Sequence, residues 1–265
     1  MRALIGLSVR QMLGGKKIWV VAAFLCLPVL LLALIQLAGG FGIQAVDGVD
    51  REDYLMTGFL YIIYPQSLCL LASLLYGASM LAGEIEDKTL TYLFTRSLAR
   101  WQVLFGKYVT TASVLAVMTC ASMSVAYVVA GMPFAPRVWF ALALTIVCSC
   151  FAYTALFCLL GLFVPRRAIP VGLIYAVVVE GVLSILPAVI NQMTVSFYLR
   201  CLTWRLAKLP LPEEIAEEFT REVAPLVLGA DGPTALVALG TIALLALALS
   251  AWVIHRRQWP LTESV

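Results

Sequence analysis

Residues 171–190 read VGLIYAVVVEGVLSILPAVI, a run with one ionisable side chain, Glu180, near its centre. An α-helix rises about 1.5 Å per residue, so about 20 apolar residues cross a hydrocarbon core roughly 30 Å thick. The run has that length. A charged group at mid-membrane costs at least about 2.5 kcal/mol and is rarely left facing lipid. Glu180 is therefore expected to face protein or water. Ser184 lies four residues on and shares its helical face, whereas Tyr175 lies five residues back. Two readings stay open: a carboxyl group that hydrogen-bonds within the assembly and holds the fold, or a group on a substrate path or gate.

Working outward, further runs of the same kind fill most of the chain. Of 265 residues, 62% are hydrophobic and 12% charged, and the mean hydropathy is +0.97, outside the range of soluble domains. Six spans are expected, at about 18–39, 54–82, 108–132, 137–164, 168–190 and 234–254. The runs are continuously apolar and helix-length, so the short alternating pattern of a lipid-facing β-barrel is absent. The first run is longer than a signal-peptide core and lacks a clear small-residue cleavage site, which reads as a retained span. The fold class is all-α integral membrane, one domain over 1–265.

Basic residues set the orientation. Twelve fall on the side of the termini: Arg2, Arg10, Lys16, Lys17, Lys88, Arg96, Arg100, Lys107, Arg166, Arg167, Arg256 and Arg257. Six fall on the other: Arg51, Arg137, Arg200, Arg205, Lys208 and Arg221. Twelve against six places both termini in the cytoplasm.

The opening residues carry an apolar stripe at Leu4, Ile5, Val9, Met12 and Leu13 among basic side chains, the pattern of a helix lying in the membrane interface. Between the last two runs, Phe197, Tyr198, Leu202 and Trp204 mix with Arg200 and Arg205, and Ile215, Phe219 and Val223 recur every fourth residue. This reads as an amphipathic segment on the outer face, with Cys201 outside the membrane. The other six cysteines, Cys26, Cys69, Cys120, Cys148, Cys150 and Cys158, fall within spans. Cys148 and Cys150 are two apart on a helix and point to nearly opposite faces, so no metal site is expected. His255 is the lone histidine. No hydrolase constellation or phosphate loop accompanies it. The chain is expected to be no enzyme, to bind no ATP itself and to have no nucleic-acid partner.

One connection stands apart: LAGEIEDKTLTYLFTRSLARWQVLFGK, residues 81–107. Read as a helix, Glu84, Glu86 and Asp87 fill the first turn and Arg96 and Arg100 lie at or beyond the last, matching the dipole at both ends. Ile85, Thr89, Tyr92, Leu93 and Arg96 share one face. The acids followed by Thr89, Leu90, Leu93, Arg100, Gly106 and Lys107, placed between the second and third of six spans, resemble the signature of ABC-2-type permeases, the membrane subunits of ABC exporters. Lys88 and Ser97 stand where that family often has Gly and Pro.

The resemblance implies that Glu84 opens a coupling helix docking on a separate ATP-binding subunit, with Glu86, Thr89, Leu93, Arg96 and Arg100 as further coupling residues. It implies a homo- or heterodimer of permease chains, ATP and Mg held by the partner subunits, and a bacterial-type plasma membrane. Glu180 and Ser184 would then lie on the pathway or at the dimer seam. The alternative is a membrane anchor or regulatory subunit of a cytoplasmic ATPase complex that transports nothing.

Overall fold

The computed structural model describes residues 6, 16–39, 51–80, 83, 100–131, 135–184, 189–208 and 229–256, and every regular element among them is helical. Helix α1 spans Lys16–Leu37. Helix α2 (Arg51–Tyr61) runs through a π-helical segment, Ile62–Leu68, into α3 (Cys69–Gly77). Helices α4 (Arg100–Val129) and α5 (Ala135–Phe163) are long. Helix α6 (Ala168–Tyr175) passes into a second π segment, Ala176–Leu183. Helix α7 covers Val195–Ala207 and α8 covers Gly232–Arg256.

Five stretches are long and apolar enough to cross a membrane: Trp19–Leu37, Met56–Gly77, Trp101–Val129, Pro136–Phe163 and Gly232–Arg256. They fall on five of the six expected runs. Their outward faces carry large apolar side chains, among them Leu30 and Leu34 on α1 and Leu244 and Leu245 on α8, a surface suited to lipid and costly in water. Helix α5 is the hub, with more of its apolar length buried than any other spanning helix and far more than α1. It packs on α3, α4, α7 and α8. Small residues permit the close approaches that membrane helices rely on. At Gly161 a Cβ would overlap the Ala78 carbonyl oxygen beyond the end of α3.

The run at 168–190 departs from expectation. It is no continuous α-helix, and it is not among the five. After eight α-helical residues it widens into the π segment Ala176–Leu183, and a 3₁₀ turn follows at Val189–Met193. Val177, Val178 and Val179 are stiff at χ1, and Gly181 gains most from leaving regular structure, so this stretch holds an α-helix weakly. In the first π segment the cause is Pro65, which lacks an N–H and crowds the preceding turn. Its own carbonyl is taken by Ser149 Oγ of α5 at 2.8 Å, and the Ile62 carbonyl by Ser67 Oγ at 2.8 Å.

Helix α7 also corrects the sequence reading. Its residues were expected on the outer face, yet Val195, Ser196, Phe197, Leu199, Cys201, Leu202, Thr203 and Ala207 are all buried. It runs antiparallel to α5, as three contacts in register establish. Arg137 Nε donates to the Leu206 carbonyl at 3.2 Å, the Thr145 and Thr203 hydroxyls meet at 2.9 Å, and the Tyr153 and Ser196 hydroxyls meet at 3.1 Å. Its first turn therefore lies level with Tyr153, well inside the bundle. Lys208 closes the helix in the left-handed region at φ 44° and donates its N–H to the Trp204 carbonyl at 3.1 Å. An exposed ion pair, Arg205 to Asp231 at 3.1 Å, ties that end to the start of α8, and exposed pairs of this kind contribute little.

Candidate functional site

Glu180 is 2% exposed, and four donors converge on its carboxylate. Tyr175 and Tyr153 donate their hydroxyls to Oε1 and Oε2 at 3.1 and 3.0 Å. The backbone N–H groups of Val195 and Ser196 donate to Oε1 and Oε2 at 3.1 and 2.8 Å. Each oxygen thus accepts two bonds, which fills the acceptor capacity of a carboxylate. Val195 and Ser196 are the first two residues of α7, so Glu180 satisfies amides that a helix leaves open and sits at the positive end of its dipole. Thr194 completes the cap by accepting from Phe197 N at 3.3 Å.

The π segment decides which neighbours reach the carboxyl group. The spacing argument favoured Ser184, four residues on, because it assumed 3.6 residues per turn. In the π segment the backbone bonds run from i to i+5 instead of i to i+4, which re-aims the side chains, and Tyr175, five residues before Glu180, is the one that bonds the carboxylate. Ser184 instead donates to the backbone carbonyl of Glu180. Its own carbonyl accepts from Arg200 Nη2, which also donates to Asn191 Oδ1 at 3.1 Å.

A polar ladder leads away from this site along α5. Thr145, Ser149 and Tyr153 recur every fourth residue, and each bonds a different point: Thr203, the Pro65 carbonyl, and the pair Ser196 and Glu180. Beside them Thr154 reaches Ser73 Oγ at 3.3 Å. In an apolar solvent such groups must find partners inside the protein, and they fix the register of helices that apolar packing alone would let slide.

Three buried polar atoms have no hydrogen-bond partner among the described residues: Thr57 Oγ1, the Tyr61 hydroxyl and Arg200 Nε. Thr57 and Tyr61 are one turn apart on α2. Arg200 and Glu180 both lie within electrostatic reach of the Tyr61 hydroxyl. Native proteins leave few such atoms unpaired, and each needs an explanation.

The coupling residues expected from sequence, Glu84, Glu86, Thr89, Leu93 and Arg96, lie outside the described residues, as do the side chain of Arg100, the N-terminal interfacial stripe and the segment 209–228. Lys107 is buried near the start of α4 at 5% exposure. Cys201 is fully buried. Cys150 lies with its Sγ 3.6 Å from that of Cys69, while Cys148 is not part of the contact. Among the described residues no three His, Cys, Asp or Glu side chains are placed to hold a metal ion.

Comparison with known proteins gives no matching family, no similar characterised protein and no similar solved structure. The functional reading therefore rests on the residues themselves.

Proposed function

We propose that this chain is the membrane-spanning permease subunit of an ATP-driven transporter working as an exporter. It pairs with a second permease copy and is coupled through residues 81–107 to separate ATP-binding subunits, which hold ATP and Mg. The membrane is a bacterial-type plasma membrane with both termini on its cytoplasmic side. In this reading there are six crossings, and the fifth is interrupted: α6 and the second π segment form its inner part and α7 its outer part.

The observation that carries the reading is the buried carboxylate at this interruption. Proteins that merely anchor have little use for an ionisable group and broken helices at the centre of a bundle, because both cost stability. Secondary transporters build midplane sites from such interrupted helices, with half-helix N-termini turned toward anionic groups, so the interruption supports transport over anchoring and does not by itself select the ATP-driven kind. The resemblance of residues 84–107 to the ABC-2 signature supplies the kind of transporter, and the excess of basic residues on one side supplies its orientation.

The test is biochemical. The chain is purified with the ATP-hydrolysing subunit that accompanies it, reconstituted in vesicles and assayed for turnover and for movement of candidate compounds. Turnover that depends on this chain and rises with a transported compound is expected. Turnover that depends on the chain but responds to no compound, with nothing moved, favours the anchoring alternative. Transport without any ATPase would overturn the proposal in favour of a secondary transporter.

A further inference from the structure

We propose that Glu180 is a two-position latch: its carboxylate sits on the first turn of α7 in the conformation described, and has a second seat on Arg200 and Tyr61. This deepens the transport reading by naming a part that moves.

Two buried donors are left over. Arg200 Nη2 bonds the Ser184 carbonyl and Asn191 Oδ1, both uncharged, while its Nε has no acceptor among the described residues. The Tyr61 hydroxyl, across on α2, also has no partner among them. Both atoms are sealed from solvent, so water does not reach them as the helices now stand. An unmet buried donor costs about 1–3 kcal/mol, and more when it is charged. An acceptor that moves to them would remove that cost.

Glu180 is the acceptor at hand. Arg200 follows Ser196 by one turn of α7 and lies on the same face. Arg200 is already held against Ser184, one turn beyond Glu180 on its own segment. A carboxylate leaving the first turn of α7 thus has the Arg200 guanidinium one turn along that helix, with the Tyr61 phenol of α2 on the same side of it.

The groups it leaves have replacements. Tyr153 keeps its bond to Ser196 Oγ at 3.1 Å. Asn191 Oδ1, freed from Arg200, stands just ahead of α7 and accepts from Thr194 Oγ1 at 3.4 Å, so it can receive the first-turn amides. Tyr175 is half-buried. The exchange trades four bonds to one carboxylate for a different set of partners, which is what a two-state element requires. The π segment favours it, because its wide turn holds Glu180 less firmly than an α-helix would.

The test is hydrogen exchange of the purified chain in lipid nanodiscs, read on peptides covering the first turn of α7, where the Val195 and Ser196 amides report the first seat. Tyr61→Phe and Arg200→Gln remove parts of the second seat, so both should slow exchange there several-fold. Arg200→Lys should stay near the parent, because it keeps the charge. In a Glu180→Gln background, Tyr61→Phe should change nothing. If Arg200 were a purely structural brace, Arg200→Gln would speed exchange, and if Tyr61 were a bystander, Tyr61→Phe would leave it unchanged. Either result with Tyr61→Phe in the parent other than slowing, or the same slowing in the Glu180→Gln background, overturns the latch. The measurement needs no ATPase, so its failure leaves the permease proposal standing.

Discussion

Tyr153 donates its hydroxyl to Glu180 Oε2 at 3.0 Å, and this bond joins the middle of the central helix α5 to the point where the fifth apolar run gives way. Both residues are buried, at 0% and 2% exposure. The bond is one of four on the same carboxylate, so its loss is felt by α5, the second π segment and α7 together. From this point the behaviour of Glu180 variants follows.

Glu180→Gln keeps the shape but turns an amide NH₂ toward two of the four donors. Those donors lose their acceptor, at about 1–3 kcal/mol each. Glu180→Ala removes all four bonds and should be the more severe change. Thermal unfolding in detergent, followed by loss of monodisperse protein, should rank parent above Gln above Ala. A Gln variant as stable as the parent would show that the carboxylate is not held as described.

The hydroxyl pair Thr145 and Thr203 is buried and 2.9 Å apart. Hydrogen bonds between membrane helices average about 0.6 kcal/mol in double-mutant cycles. Thr145→Val, Thr203→Val and the double variant should therefore give a small favourable coupling of that order. Strict additivity would mean that α7 does not lie against α5 at this register.

Gly161→Ala places a methyl group on the Ala78 carbonyl oxygen. Backbone must move, and overpacking of this kind costs about 1–3 kcal/mol. Gly240→Ala on α8 meets no atom within 4 Å and should be neutral. The comparison is made by thermal stability in the same detergent. Equal stability of the two variants would contradict the close approach of α5 to the end of α3.

Cys201, expected outside the membrane and labelled unless the interface buries it, is fully buried in α7. A membrane-impermeant maleimide should leave Cys201 unlabelled in intact cells and label it after denaturation. Rapid labelling of native protein, lost in Cys201→Ser, would place α7 on the surface.

The proposed coupling segment makes a separate prediction. Reversing charge at Glu84 and Glu86 should weaken assembly with the ATPase subunit or uncouple its turnover, since charged pairs across an interface set register and cost a few kcal/mol when one partner is lost. Unchanged copurification and ATP-dependent transport in the double reversal would remove this segment from the interface.

What the sequence by itself determined follows from length and hydropathy. Apolar runs of helix length fix the class and the place of five helices, because every backbone group in an apolar solvent must be bonded within its own segment. The burial of Glu180 was legible on the same ground, since one carboxyl group in a long apolar run has to turn inward. The ladder Thr145, Ser149 and Tyr153 was present in the spacing but its partners were not, because they come from residues far along the chain. Only the tertiary structure decided that the run at 168–190 breaks, since the competing gain is the bonding of Glu180 to the first turn of α7. It also decided that Tyr175 rather than Ser184 reaches the carboxylate, because the π turn changes the periodicity on which the spacing argument depends. It decided that α7 lies within the bundle, where the hydroxyls of α5 satisfy its Ser and Thr side chains, so that a segment too polar to enter lipid alone is buried among its neighbours.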